Sequence, residues 1–308
     1  MSHTICGIDL GAFSIKLVML EVGFRQTHLR GLLETAVPGG DAPLLERQAE
    51  AVQDGLSRVS AEATPYLALP GDMLSMRLLD WCTAHATPLI YASSAATYGD
   101  GAQGFSDDPA LSALKTLRPM NLYGWSKHLF DMAVAARVEK GDKLPPQWAG
   151  LKFFNVFGPN EYHKGAMMSV LAKRFDDIKS GRVVQLFKSH REGIEDGGQR
   201  RDFIYVDDVV RVVLWLLATP SVSGLFNVGT GQARSFKDLV LSAYAALGIG
   251  PNIQYVDMPE QIRGSYQYFT QGEVDRLRGA GYNGGFTALE EAAGLYVKGY
   301  LDCADRYR

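Results

Sequence analysis

The sequence predicts an α/β protein with a parallel sheet covered by helices, and three observations carry that expectation. Strand-like and helix-like segments alternate from Arg77 towards the C-terminus. The strand segments there, such as "PLIYASS", "LKFFNVFGP" and "GLFNVG", are almost continuously apolar, as parallel strands covered on both faces are. The chain has 308 residues, 46% hydrophobic and 21% charged, enough to bury one large core or two ordinary ones.

Taken in order, the first 37 residues alternate as strands: "TICGIDL", "SIKLVMLEV" and "HLRGLLETAV". "VPGGDAP" punctuates them, "LLERQAEAVQDGLSRV" has the 3.6 period of an amphipathic helix, and "PYLALPG" is a short buried strand. This opening is a meander, not a βαβ crossover. "DWCTAHA" ends a helix and "PLIYASS" is a strand, followed by a loop rich in Gly, Asp and Pro and a helix from about Tyr123 to Val138. "LKFFNVFGP" is a strand running into a loop, and "MMSVLAKRFDDIKSG" a helix with a glycine stop. "VVQLF", "DDVVRVVLWLLA", "GLFNVG", "FKDLVLSAYAALG" and "IQYVDM" continue the alternation.

Composition narrows the function. A formal charge of −3 gives no electrostatic reason to expect nucleic acid or an anionic membrane as partner. The three cysteines, Cys6, Cys82 and Cys303, are too few and too scattered for a disulfide framework or a zinc site, and no metal is expected. The longest apolar run, Val209 to Ala218, is far shorter than the ~20 residues of a membrane span and contains Arg211. With no leader pattern, a cytoplasmic protein is expected.

Tyr123 and Lys127 stand four apart on a predicted helix and so share a face. An ammonium beside a phenol favours the phenolate, which suits acid-base work at neutral pH. "YASSAATYG" places Ser94 at the C-terminal end of a strand, where ligands gather in open parallel sheets and a hydroxyl can bond a substrate oxygen.

"YASSAATYG", "NLYGWSKHLFD", "FFNVFGPNEYHKGAM", "QRRDFIYV", "GLFNVGTGQARSF" and "YQYFTQ" follow one another in order. Together they resemble the extended short-chain dehydrogenase/reductase family of nucleotide-sugar enzymes, and within it the ADP-glyceromanno-heptose 6-epimerases. The resemblance runs from about Leu78 to Tyr300. It implies Ser94, Tyr123 and Lys127 as a catalytic triad and Lys164 as the second acid-base group on the opposite face of the sugar. A solvated loop lysine is the plain alternative for Lys164. It further implies NADP as cofactor, held partly by Tyr123, Lys127 and Asn155, and an ADP-heptose-type nucleotide sugar contacted by Asn155, His163, Arg201, Arg263 and Tyr266. The resemblance also implies a homo-oligomer. Asn155 reads equally as a turn residue, His163 as a surface histidine and Arg201 as a surface salt bridge. Arg201 and Asp202 of "RDF" resemble the family's anchor near the diphosphate, where arginine's fork can hold two phosphate oxygens. Asn227, Gly229 and Gly231 suit a turn that lets backbone approach a ligand, or a plain tight turn. Met167 and Met168 read as packing residues. Within this stretch Lys152 stands where relatives carry arginine, and Ser265 interrupts a usually basic segment.

One family feature is missing. Members begin with a strand, a glycine-rich loop and a helix whose N-terminus holds the cofactor pyrophosphate. "GIDLGAF" supplies no such loop, and "GAGYNGG" (Gly279 to Gly285) lies after a helix near the C-terminus. Residues 1 to about 78 instead resemble the start of an actin-like ATPase of the type IV pilus assembly and type II secretion group. That resemblance implies Asp9 on Mg²⁺ through water, with the Gly11 turn and Lys16 near phosphates. The two resemblances meet at "MRLLDWC", a strand in one and a helix in the other. The expectation is therefore a chimera: an actin-like, hairpin-rich fragment (1–78), the rest of a dinucleotide domain with the triad (79–160), and a mostly substrate-binding α/β domain (161–308). The Rossmann-type sheet would be incomplete.

Overall fold

A computed structural model describes residues 3–10, 14–23, 26–36, 38–40, 47, 50–51, 54, 64–68, 73–263 and 266–305. The opening is the expected meander. β1 (His3–Leu10), β2 (Ser14–Gly23) and β3 (Gln26–Ala36) are antiparallel neighbours, and β4 (Thr64–Ala68) joins the other edge of β1 in parallel. Of the expected helix over 44–59, the described residues 47, 50, 51 and 54 are helical and the others lie outside the described residues, as do Gly11 and Ser265.

Helix α1 (Met73–Ala84) covers "MRLLDWC", the conformation implied by the nucleotide-sugar resemblance. It leads to β5 (Leu89–Ser94), which runs beside β4. β5 pairs in parallel with β6 (Trp148–Phe153), and β6 with β10 (Gly224–Val228). α2 (Leu122–Lys140) joins α1 on one face, where Leu79, Leu89, Phe130 and Val134 form a core. On the other face Val212 and Leu216 of α4 (Val206–Ala218) pack on Leu151, Phe226 and Val228. The order of these elements reflects continuous apolar strands needing cover on both faces.

"LKFFNVFGP", expected as one strand, is two. β6 ends at Phe153, and β7 (Asn155–Phe157) changes partner to lie parallel to β9 (Arg200–Tyr205), with Asn155 opposite Phe203. Phe154 is the joint: its N–H binds the Val228 carbonyl and its ring is buried beside Tyr98 and Phe105. A short β11 (Ala233–Ser235) completes that sheet.

A second core gathers α3 (Val170–Lys179), α5 (Phe236–Leu247) and α6 (Leu289–Tyr296) around the parallel pair β8 (Val184–Phe187) and β12 (Ile253–Val256). α5 starts with a reciprocal Ser235–Asp238 capping box and ends at left-handed Gly248, so its boundaries are set by local hydrogen bonds.

Candidate active site

Ser94 ends β5 in extended backbone and caps the following turn, its Oγ accepting the Ala96 N–H at 3.1 Å. α2 begins alongside. Asn121 caps it by accepting the Gly124 N–H at 2.8 Å. Gly124 packs so closely on that turn that a Cβ would lie 2.7 Å from the Ala96 carbonyl oxygen. This contact sets the first turn of α2, and hence Tyr123, against the element carrying Ser94. Tyr123 is 57% exposed while Lys127, one turn on, is 5% exposed, with Nζ 5.8 Å from the Tyr123 ring centre. The pair is an open phenol over a buried ammonium.

Beneath them lies a polar network. Lys152 of β6 is fully buried and donates to Asp131 of α2 at 2.8 Å and to Thr97 at 2.6 Å. Asp131 also accepts from Ser93 and Tyr91. A lysine can only donate, so Thr97 must pass its own proton on, and it does so to the Ser94 carbonyl at 2.8 Å. One buried ammonium therefore ties the strand end carrying Ser94 to the helix carrying Tyr123 and Lys127. His128 lies in the same layer. Burial lowers its pKa from the ordinary value, the Lys152 charge adds to this, and Asp131 opposes it. A lysine inside an apolar strand, and an aspartate on the face of Lys127, were the sequence signals for this network.

Lys164 lies in the turn Glu161–Met167, half-buried, its Nζ 3.5 Å from buried Glu161 and 3.4 Å from the Val156 carbonyl. It is tethered, not a freely solvated loop lysine. Asn155 is exposed at the start of β7, one residue from that carbonyl. His163 is exposed and held to the Asn160 carbonyl at 2.9 Å. Met167, expected to pack, is 83% exposed.

Arg201, on β9, is 8% exposed. Its guanidinium stacks against Tyr266 and Phe236 at 5.2 and 5.5 Å, and donates to the Arg200 carbonyl. Among the described residues it forms no salt bridge, so the surface ion-pair alternative fails. Burial lowers its pKa from the ordinary value, with Tyr266 acting the other way. Phe236 and Tyr266 also line a cavity of about 230 Å³ beside Lys173 and Arg174 of α3. Arg263 is bound to the Met258 carbonyl at 2.6 Å.

Asp202 does not act beside Arg201 as a diphosphate anchor. It is fully buried and accepts from Thr230, Gly231 and Gly272 backbone N–H groups and from the Thr230 hydroxyl. Burial raises its pKa against those bonds. Gly229 is needed for this clamp: a Cβ there would lie 2.6 Å from the carboxylate. Asn227 is equally committed, to Tyr98, Asp107, Phe105 and Glu273. The close backbone approach in "NVGTG" is to Asp202.

For a dinucleotide the fit is divided. The phenol of Tyr123 and the ammonium of Lys127 suit a nicotinamide ribose. At the other end Leu10 pairs with Ile15 and Asp9 with Lys16, so the strand that follows β1 is its antiparallel partner β2. Among the described residues no helix N-terminus stands there for a pyrophosphate. The second glycine cluster wraps the Arg278 guanidinium, which donates to the Tyr282 and Gly284 carbonyls. The described residues do not form a complete dinucleotide site.

A parallel sheet with a strand-end serine, a Tyr-x-x-x-Lys helix and a buried arginine in a second core defines an epimerase/dehydratase-type α/β enzyme. The chain belongs to the NAD dependent epimerase/dehydratase family, whose model matches residues 59–229. ADP-L-glycero-D-manno-heptose-6-epimerase of Nitratidesulfovibrio vulgaris (strain DP4) is 50% identical over 233 residues, covering 76% of this chain and 70% of the relative. The protein of the same description from Fusobacterium nucleatum is 43% identical over 236 residues, covering 75% and 70%. The crystal structure of the Helicobacter pylori ADP-L-glycero-D-manno-heptose-6-epimerase superposes with a TM-score of 0.57 at 25% identity, over 75% of this chain and 71% of that one. A Thermus thermophilus UDP-glucose 4-epimerase in complex with NAD shares the fold, with a TM-score of 0.60 at 23% identity over 80% of each chain. The chain is an enzyme of the epimerase class.

Proposed function

We propose that the chain derives from an NADP-dependent enzyme that interconverts ADP-D-glycero- and ADP-L-glycero-manno-heptose at C6, and that turnover here is impaired by the missing glycine-rich loop. The observation that carries the reading is the open Tyr123 phenol held over the buried Lys127 ammonium, against the strand end bearing Ser94. Tyr123 exchanges a proton with the sugar oxygen, Lys127 sets its ammonium beside that ring, and the Ser94 hydroxyl steadies the oxygen. Lys164, tethered by Glu161, serves the opposite face of the sugar. Arg201, buried and with no carboxylate partner among the described residues, suits a diphosphate, and the neighbouring cavity suits its nucleoside. Asn155, Arg263, Tyr266 and His163 complete the proposed substrate contacts, and a cytoplasmic homo-oligomer is the setting proposed.

The N-terminal meander supports the companion proposal that residues 1–78 come from an actin-like pilus or secretion protein joined near "MRLLDWC". Asp9 and Lys16 are register partners of β1 and β2. A non-catalytic role as an assembly fragment is the second reading, favoured by the same meander.

The test is conversion of ADP-heptose between its C6 epimers at millimolar NADP⁺. Slow conversion is expected, reduced ~10²–10⁴-fold in Tyr123→Phe. Equal rates in the two proteins would contradict the reading.

A further inference from the structure

We propose that Gln199 reads the base of the bound nucleotide and selects one carrying an exocyclic amine, as adenine does. This rests on the reading of the cavity as the nucleoside site. Gln199 precedes β9, is 1% exposed and lines the cavity of about 230 Å³. Its backbone is pinned from both sides: its carbonyl accepts the Phe236 N–H, and the next N–H, of Arg200, binds the Tyr268 carbonyl.

The side-chain amide is oriented by its partners. Nε2 lies 3.0 Å from the Lys188 carbonyl and 3.4 Å from the Phe187 carbonyl. Backbone carbonyls only accept, so the nitrogen end must face them, and a flipped amide would set oxygen against two oxygens. Both N–H groups are thereby used. The carbonyl oxygen Oε1 is the end of the amide left for another partner, and among the described residues it receives no hydrogen bond. The one polar atom that Gln199 can offer the cavity is therefore an acceptor held in fixed orientation.

An acceptor in a small site discriminates by what it leaves unpaired. The walls are aromatic, with Phe187 and Tyr266 meeting edge to face at 6.3 Å, and such walls hold any flat base. They do not tell one base from another. A base with an amine opposite Oε1 completes the amide's hydrogen bonds. A base with a carbonyl there places two acceptors together and leaves both desolvated. Sites built to bond an N–H reject the analogue lacking it strongly. Gln199 would thus set nucleotide identity, while Arg201 holds the diphosphate whatever the base.

The experiment is a binding titration, by calorimetry and thermal shift, of the full chain with ADP and with inosine diphosphate, which differs in carrying O6 and N1–H. ADP is expected to bind at least tenfold more tightly. In Gln199→Met, of similar length but with no acceptor, that ratio is expected to fall towards one. Equal affinities in the unaltered protein, or an undiminished ratio in Gln199→Met, would overturn the assignment while leaving the cavity a nucleotide site. Binding of neither nucleotide would overturn the nucleotide reading of the cavity, and the role of Gln199 with it. Should Gln199→Met fail to fold, the ADP to inosine diphosphate ratio of the unaltered protein decides.

Discussion

Among the ion pairs of the described residues, Lys152 and Asp131 are the pair with both side chains fully buried. Lys152→Met removes the cation and leaves Asp131 with only the Ser93 and Tyr91 hydroxyl donors. Breaking a buried pair in this way costs about 3–5 kcal/mol, to be read from denaturant unfolding. Arg201 predicts the opposite balance. Among the described residues this buried cation meets no carboxylate, so Arg201→Met should keep or raise the melting temperature while weakening ADP binding at least tenfold. Asp107 supplies a pH signature. Burial raises its carboxyl from 3.8 to about 6, partly offset by the Asn227 N–H and Arg276. The folded state then holds this proton more tightly than the unfolded chain. Its contribution to stability is fully present below about pH 4, declines as pH rises through about 6, and is flat above. Two units correspond to at most about 3 kcal/mol. Unfolding measured from pH 4 to 7 should show the decline, and Asp107→Asn should flatten it.

At the scale of elements, the site depends on how closely α2 meets the turn after β5. Gly124→Ala would set a methyl 2.7 Å from the Ala96 carbonyl oxygen and 3.0 Å from Pro119 Cβ, backbone and ring atoms that cannot swing aside. The first turn of α2 must shift and Tyr123 with it. The expected outcome is a loss of epimerisation greater than any change in ADP binding, since Gln199 and Arg201 belong to other elements. The helices were legible in the sequence because period and caps agree, as at Ser169 before α3 and Ser235 before α5. The break at Phe154 was not, because apolar continuity marks a buried run without saying where it changes sheet. That Tyr123 and Lys127 share a helix was legible from their spacing, whereas the role read for them came from the resemblance of the surrounding segments. The role of Asp202 was not, since four donors from residues 28 to 70 positions later define it.

Across the whole molecule, the enzyme-like part and the opening meander are built by different rules. From β5 onward, parallel strands, covering helices and a second core agree with one another and with the relatives that span about three quarters of the chain. The opening sheet is antiparallel where this enzyme class needs a strand, a glycine loop and a helix. Topology was predictable there because alternation with period two over three segments admits little else. The proposed function accordingly expects sugar and nucleotide binding without a matching cofactor site. Thermal unfolding with NADP⁺ against ADP-heptose tests that division most directly, since a ligand bound only by the folded state must raise the melting temperature. The account predicts a saturable rise with ADP-heptose and none with micromolar NADP⁺. A saturable rise at micromolar NADP⁺ would contradict it, by showing that the N-terminal residues complete the cofactor site.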